Sequence, residues 1–454
     1  MASFLDILKR FFSDRRSLTI AGGVVATLIV LTVGGLVLFG GDEGSTEAGE
    51  SSTTAPTTTE AASTTAAPTT TTAAETTTTT TRPAGPAVTV RVSFEGTFDT
   101  PDANHQAVRD FYGWLGDREG VEPPPMDPEL GAYLADVVVP ADVDLEGRFV
   151  GANLPEMEQG LVIGVATVGD EDVVLLVKHD EEPWTIVGAK LTGFGKDPWY
   201  GPEMRHVMII GTDARAGYDQ RVFRGDSLHV LTSNISEGGG SIVGFPRDSW
   251  VEGPYGFDKF THINALAEEG PAATTDVART LSGLPVEGYI VTGFQGFRGM
   301  VDDFGGVPVN VPFAMADDKS DAYLSAGQQW LMGFDALAFS RNRTIPGGDF
   351  TRSYHHGLVI QGGLVAAQDA GIEMMPFFLK VLMARTWTDL TPEQLITVAA
   401  GAYELDPDLV GNVVLEGSVT TRSGASVVVL DEEFAAEVWS DVADDGMLTL
   451  PEDG

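Results

Sequence analysis

The chain has 454 residues, a length that accommodates two or three domains of ordinary size and excludes a single small module. Its 66 acidic and 27 basic residues give a formal net charge of −39, which disfavours nucleic acid as a partner because phosphate binding begins with a basic field. The chain contains no cysteine, which excludes a disulfide framework, a thiol nucleophile and a thiolate metal ligand. Such acidity suits either a protein of a high-salt habitat or an acidic cell-wall protein.

The first 39 residues predict a membrane anchor. Residues 18–39 form an uninterrupted apolar run that would span roughly 33 Å as a helix, which matches the hydrocarbon core of a bilayer. Residues 1–17 form a basic cytoplasmic segment and acidic residues follow the run, so the positive-inside rule places the rest of the chain outside. A cleaved signal peptide is the alternative, but no small-residue cleavage motif follows. We therefore expect a single-pass protein of the cell membrane whose N-terminus lies inside and whose long C-terminal part is extracytoplasmic.

Residues 40–86 predict a disordered linker. They are mainly Thr, Ala, Ser, Pro and Glu, so the segment cannot offset its ordering entropy by burial. Extended as polyproline II, such a linker would hold the folded part on the order of 100 Å from the membrane.

Residues 87–200 predict a small α+β accessory domain. A helical face around Phe111 is followed by strand patterns at 160–168, 172–179 and 184–191. No candidate site residue falls in this domain, which leaves a spacer and a wall-binding module as open interpretations.

Residues 203–446 predict a second, larger domain, and residues 447–454 a short tail. Apolar strand runs at 207–210, 227–231 and 241–245 alternate with helical patterns, which is typical of a mixed sheet covered by helices. The predicted fold class is therefore α/β: a mixed central sheet flanked by helices, preceded by a small α+β domain and a single N-terminal transmembrane helix.

Two local signals near the C-terminus are specific. Thr391 to Gln394 predict a helix start with a capping box. Arg422, Ser423 and Gly424 predict a hairpin turn between strands at 413–419 and 426–430.

Acidic residues and arginines recur at three predicted strand edges. Asp213 follows the first strand, Arg224 and Asp226 precede the second, and Arg247 and Asp248 follow the third. Strand ends of α/β sheets commonly present functional side chains. Any one such pair is commonly an ion pair or a turn, but three in succession favour a shared site.

Further motifs follow in a fixed order. Lys259 and Asn264 are followed by the run 302–309, which contains Asp302 and a Gly305-Gly306 turn, and then by the group Arg341, Arg343, Asp349 and Arg352. In order and spacing, the stretch from 203 to 446 resembles the LytR-CpsA-Psr family of cell-wall glycopolymer phosphotransferases over nearly its whole length. The resemblance implies that family's fold, a mixed sheet with helices on both sides and a prenyl tunnel between them.

The residues themselves suit a pyrophosphate, because arginine forks pair bidentately with phosphate oxygens and two carboxylates can hold Mg²⁺. The resemblance implies the same roles. The catalytic candidates are Arg247, Asp248, Arg341 and Arg343. The substrate-binding candidates are Arg224, Lys259, Arg352, His355 and His356, and the metal candidates are Asp213 and Asp226. Asp248 either orients Arg247 or acts as a general base.

His355 and His356 depart from the family pattern, which commonly has Arg-Gln at these positions. The pair could donate hydrogen bonds to phosphate or sugar, or bind a metal. The apolar runs 357–366 and 374–383 could line a groove for a prenyl chain, and core packing explains them equally well.

The function implied by this resemblance is Mg²⁺-dependent transfer of a polyprenyl-pyrophosphate-linked glycopolymer to peptidoglycan, with release of polyprenyl phosphate. The expected partners are the glycan donor, the peptidoglycan acceptor and the membrane, without nucleic acid. A polyprenyl-pyrophosphate hydrolase and a non-catalytic wall-glycan binding protein are the alternatives. A transcriptional regulator is disfavoured by the predicted anchor, its orientation and the acidic charge.

Overall fold

The computed structural model describes residues 88–94, 102–139 and 142–449. The predicted cytoplasmic segment 1–17, membrane span 18–39 and linker 40–86 lie outside these residues. Within the described ranges, no helix combines the length and the apolar character needed to cross a bilayer.

The N-terminal part of the described chain, up to Trp199, forms a six-stranded sheet in the order β1-β2-β3-β4-β5-β6. The β1–β2 pair is parallel and the remaining pairs are antiparallel. The predicted helix and the three predicted strands are confirmed. The elements are β1 (Val90–Phe94), α1 (Asp102–Gly116), α2 (Pro128–Tyr133), β2 (Val143–Asn153), β3 (Val162–Val168), β4 (Asp172–Lys178), β5 (Thr185–Leu191) and β6 (Lys196–Trp199).

A second six-stranded sheet has the order β17-β12-β7-β8-β9-β18, with parallel and antiparallel pairs. The elements of this half are β7 (Met204–Thr212), β8 (Gly225–Asn234), β9 (Gly239–Gly244), β10 (Trp250–Gly253), β11 (Gly256–Lys259), α3 (Phe260–Leu266), α4 (Gly270–Ser282), β12 (Gly288–Gly293), α5 (Phe294–Phe304), β13 (Val307–Val311), β14 (Met315–Asp317), β15 (Ala322–Leu324), β16 (Gly327–Leu331), α6 (Gly333–Arg341), α7 (Asp349–Ala370), α8 (Met375–Met383), β17 (Trp387–Thr388), α9 (Pro392–Gly401), β18 (Val410–Val414), β19 (Gly417–Arg422), β20 (Ala425–Leu430) and α10 (Glu432–Asp445).

Helices cover both faces of this second sheet, as predicted. Successive residues of a strand point to opposite faces. Met208 and Ile210 of β7 pack with α3, α4 and α10, whereas Val207 packs in the core that includes α8 and α9. The sheet is therefore the middle layer, with a helical layer on each side.

The first sheet packs against the same α8 and α9. Leu175 and Val177 of β4 share a core with Leu379 of α8 and Ile396 of α9, while the alternate residues Val174 and Leu176 pack with α1. The two sheets therefore share one core through these helices.

Local sequence signals in the part of the chain that forms the second sheet have mixed outcomes. The capping box at Thr391 and Gln394 is confirmed at the start of α9, and Gly305 and Gly306 make the predicted turn with φ of 87° and 101°. The prediction of one continuous strand over 413–419 is wrong. The chain breaks at 415–416, because β18 pairs with β9 in the main sheet whereas β19 pairs with β20 in a separate hairpin.

The shared core predicts coupled unfolding of the two sheets. Leu379→Ala removes a side chain that is only 4% exposed, so we expect the free energy of unfolding to fall by about 2–5 kcal/mol. The single transition should shift as a whole in denaturant unfolding followed by circular dichroism. Val419→Ala, at a position 68% exposed, is the control and should change stability by about 0.5 kcal/mol or less. Two separate transitions, only one of them shifted, would contradict a shared core.

Candidate active site

The ends of β7 and β8 bring the two predicted metal ligands to one edge of the sheet. Thr212 pairs with Gly225, so Asp213 follows one strand end while Asp226 begins its neighbour. The backbone N–H of Asp213 donates to the Arg224 carbonyl at 3.0 Å, which closes this edge. The Arg224 guanidinium then donates to the Asp213 carboxylate at 2.6 Å.

Arg247 links three elements around this edge. It follows β9, donates from Nη1 to Asp226 Oδ1, and has its Nε 3.7 Å from Asp349 Oδ1 and 4.0 Å from Asp248 Oδ1. Burial alone would lower the pKa of Arg247, but the charge and hydrogen bond of Asp226 outweigh it and raise the pKa. The side chain therefore stays charged although it is mostly buried.

Asp349 and Arg352 begin α7 and face the same cluster. Their i,i+3 spacing puts them on one helical face, and Arg352 Nη2 lies 2.5 Å from Asp349 Oδ1. Arg352 is only 3% exposed, and burial lowers its pKa. Asp349 belongs to the motif group in the sequence, but the sequence predicts no catalytic, substrate-binding or metal role for it. Its i,i+3 spacing from Arg352 was the available signal that it belongs to the site.

Lys259 and Asp248 form the outer edge of the cluster. Lys259 Nζ lies 3.1 Å from Asp248 Oδ1, closer than Arg247 comes to the same carboxylate. Asn264 lies one turn into α3 and donates to the carbonyls of Arg221 and Phe223, which supports the loop that carries Arg224. Asn264 thus acts on the site through the backbone.

Arg341 and Arg343 complete the cluster. Within the described ranges, neither makes an ion pair with a carboxylate. Arg341 ends α6 and stacks its guanidinium over the Phe294 ring, 4.9 Å from the centroid. Arg343 is exposed, and its charge contributes to lowering the pKa of Arg352. Phe294 was not identified in the sequence, since a lone aromatic residue at a helix start carries no specific signal.

The two histidines have different surroundings. His356 Nε2 donates to the Ser340 carbonyl at 2.7 Å, and burial holds its pKa well below the usual range, so the ring is neutral. Its Nδ1 is then an acceptor, buried and without a hydrogen-bond partner in the described chain. In this arrangement His356 has no N–H left to donate to a phosphate.

His355 does not join the cluster. Its ring stacks on Phe339, with centroids 4.4 Å apart, and lies 5.8 Å from the Phe313 ring. Both ring nitrogens are buried without a hydrogen-bond partner among the residues described, and burial lowers the pKa to about 4. The structure therefore places this candidate inside an apolar core.

An apolar cavity of about 290 Å³ opens beside the cluster, between the second sheet and helices α5 to α8. Asp226, Arg341 and His356 are polar groups in its lining. The apolar lining comes mainly from Ile209, Leu231, Ile290, Phe297, Met300, Val301, Phe304, Leu337, Val359, Ile360 and Leu382. The runs 357–366 and 374–383 contribute both to this cavity and to the core, because Val359, Ile360 and Leu382 line the cavity while Leu379 packs in the core.

No group of three or more His, Asp or Glu side chains among the described residues is arranged to hold a metal ion. Asp213 and Asp226 are nevertheless carboxylates at adjacent strand ends, and Asp226 faces the cavity. Mg²⁺ commonly takes one or two carboxylates and completes its shell with water and phosphate oxygens. The pair therefore fits such an ion once a phosphate is present.

Part of the chain is similar in sequence to known proteins. Residues 200–444 match the profile of the LytR_cpsA_psr family. The chain is 29% identical over 243 residues to the polyisoprenyl-teichoic acid–peptidoglycan teichoic acid transferase TagU of Bacillus licheniformis, covering 52% of this chain and 76% of that protein. It is 28% identical over 249 residues to TagU of Bacillus subtilis, covering 54% and 76%.

Among solved structures, the crystal structure of B. subtilis TagU is 25% identical, with a TM-score of 0.43, and the match covers 55% of this chain and 100% of that one. The family profile spans more than half of the 454 residues and includes every candidate site residue. The chain belongs to the LytR-CpsA-Psr family.

Proposed function

We propose that this protein is a phosphotransferase that moves a glycopolymer from a polyprenyl pyrophosphate to a peptidoglycan hydroxyl and releases polyprenyl phosphate. The observation that carries the proposal is a cationic cluster beside an apolar cavity, which suits a substrate with a diphosphate head and an isoprenoid tail. The curated relatives support it, since they are named as transferases of teichoic acid to peptidoglycan.

The cluster suits a diphosphate in both charge and geometry. Six cationic side chains and four carboxylates meet there, in a molecule whose formal net charge is −39. Arg341 and Arg343 have no carboxylate partner among the described residues, so they are available to an incoming anion. Guanidinium forks pair bidentately with phosphate oxygens and hold the substrate in register.

The cavity suits the prenyl chain. Its volume of about 290 Å³ lies just below the range of ordinary ligand pockets, which run from roughly 300 to 1,000 Å³. Its lining is mainly aliphatic and aromatic, and burial of apolar surface contributes roughly 25 cal/mol per Å². With the tail in the cavity, the pyrophosphate would lie at Asp226 and Arg341.

Mg²⁺ is part of the proposal. Asp213 and Asp226 would hold the ion together with phosphate oxygens and water. When bound, Mg²⁺ would offset the negative charge that develops on the leaving phosphate. Arg224 and Arg247, which pair with these carboxylates, have further N–H groups for the phosphate oxygens.

The reaction is a displacement at the phosphorus that bears the glycan. A bond forms from the acceptor oxygen to this phosphorus, and the bond from phosphorus to the bridging oxygen of prenyl phosphate breaks. The hydroxyl proton passes to Asp248 or to the departing phosphate. Asp248 lies closest to Lys259, so its orienting role concerns Lys259 as well as Arg247. No covalent enzyme intermediate is required.

We expect purified full-length protein to release prenyl phosphate from a synthetic prenyl-pyrophosphate saccharide only when Mg²⁺ is present. With peptidoglycan fragments added, the glycan should appear on the fragment. Asp213→Asn should raise the Mg²⁺ concentration that gives half-maximal turnover, because one of the two anionic ligands is lost. Glycan released into water alone, even with acceptor present, would favour the hydrolase. Turnover that is unaffected by a chelator would contradict the Mg²⁺ requirement.

Arg341→Ala should lower kcat by about a thousandfold or more, as for other arginines that stabilise charge in phosphoryl transfer. Arg298→Ala is the matched control, since Arg298 also stacks on a phenylalanine, 5.5 Å from the Phe334 centroid, but lies outside the cluster. Its rate should equal that of the wild type. Equal rates for both variants in the prenyl-phosphate assay would remove Arg341 from the mechanism.

His355→Phe should stabilise the protein without changing turnover at pH 7.5, because it removes two buried nitrogens that lack partners. The pKa of His355 falls from 6.5 to about 4 on folding, so the unfolded chain binds the proton first as pH decreases. The free energy of unfolding therefore decreases as the pH falls from about 6.5 to 4. The variant should reduce the slope of this free energy against pH by about 1.4 kcal/mol per pH unit. Thermal unfolding across this range measures it, and lost turnover in the folded variant would return His355 to the substrate-binding set.

A further inference from the structure

The hairpin of β10 and β11 presents one face outward from the edge of the site. Trp250 pairs with Lys259 and Glu252 pairs with Phe257, so these four side chains share one face, here called the hairpin face. Val251 points the other way and is only 2% exposed, within the core of the second sheet. The hairpin face is therefore held in place by packing beneath it.

Two aromatic rings dominate the hairpin face. The Trp250 and Phe257 rings stack with centroids 6.3 Å apart and planes 20° from parallel. Phe257 is 58% exposed, and Tyr255 at the turn is 74% exposed. Clustered aromatic surface left in water on a rigid element marks an interaction site more often than isolated exposed residues do. A flat ring surface of this kind suits the apolar face of a pyranose.

The hairpin face continues directly into the candidate active site. Lys259 belongs to this face and contacts Asp248 at 3.1 Å. Asp248 lies beside Arg247, which donates to Asp226 in the cavity lining. A ligand ring on Trp250 and Phe257 would thus lie next to the groups that hold the pyrophosphate.

We propose that the hairpin face is the acceptor subsite and stacks a pyranose ring of the wall glycan, with the attacking hydroxyl directed towards Asp248. This inference rests on the proposed function. An in-line displacement brings the nucleophile from the side opposite the leaving group. The leaving prenyl phosphate has its tail in the cavity, and neither Asp248 nor Lys259 belongs to the cavity lining.

Charge favours the acceptor over the donor polymer on this face. A groove of about 460 Å³ beside the hairpin turn contains the carboxylates of Glu252, Glu268, Glu269 and Asp276. An anionic donor polymer would be repelled there, whereas an acceptor glycan with amine-bearing peptides would not. The acidic groove therefore favours the acceptor glycan as the occupant of the hairpin face, and the Trp250 and Phe257 rings would stack on its pyranose ring.

Phe257→Ala in the full-length protein is the test, with soluble disaccharide-peptide fragments of peptidoglycan as acceptor. We expect the acceptor KM to rise about tenfold, with kcat, donor KM and release of glycan into water unchanged. Phe257→Tyr should restore the wild-type KM. Tyr323→Ala, at a position 63% exposed on β15, is the control and should change none of these values.

A rise in donor KM instead, or no change in acceptor KM, would overturn the assignment. Calorimetry of the same fragments without donor measures acceptor binding alone. It therefore tests the acceptor subsite independently of the proposed transfer reaction. Wild-type binding that Phe257→Ala weakens supports the subsite even if transfer is not observed. Equal binding by both proteins rejects the subsite whatever the reaction.

Discussion

The candidate site depends on carboxylates placed between like charges. Six cationic side chains at one edge of a sheet would repel one another, and four aspartates separate them. Asp213 holds Arg224, Asp226 holds Arg247, Asp248 holds Lys259, and Asp349 lies between Arg247 and Arg352. A partly buried cation with a partner costs far less than an isolated one. The strand ends of β7, β8 and β9 and the start of α7 must therefore converge, which fixes where the second sheet ends. Arg341 and Arg343 pair with no carboxylate among the described residues, so their whole guanidinium groups remain for a ligand.

The first sheet contributes to the site through α8. Leu379 of α8 packs against strands of the first sheet, while Leu382 lines the cavity. Phe378 packs edge-to-face on Phe304, another lining residue, with centroids 5.2 Å apart. Close-packed interiors transmit displacement, because voids are few and side chains interdigitate. The first sheet thus supports one wall of the cavity, a role that neither a spacer nor a wall-binding module requires.

Much of the fold follows from patterns in the sequence, because the physical signals are local. The apolar runs of β3, β4 and β5, which are bounded by turn residues, and the capping box at Thr391 are of this kind. The break between β18 and β19 could not be predicted, because β18 pairs with β9, which is distant in sequence, whereas β19 pairs with the adjacent β20. The recurrence of acidic residues and arginines at three strand edges predicts the shared site, and the structure brings Asp226 and Arg247 together there. The different surroundings of His355 and His356 were missed, although neighbours on a helix point about 100° apart and rarely share an environment.

The acidity of the molecule and the cationic site are compatible because screening limits the range of charge. At physiological ionic strength the Debye length is about 8 Å, so exposed carboxylates farther away contribute little at the site. Within that range a phosphate meets partly buried cations, which solvent screens much less than exposed charges. The acidic groove beside Glu252 lies at the outer edge of the hairpin face, beyond Lys259. Charge along this surface therefore changes from positive at the cavity to negative at the groove. A diphosphate is directed to the first region and excluded from the second, which leaves the intervening aromatic pair to an uncharged sugar ring.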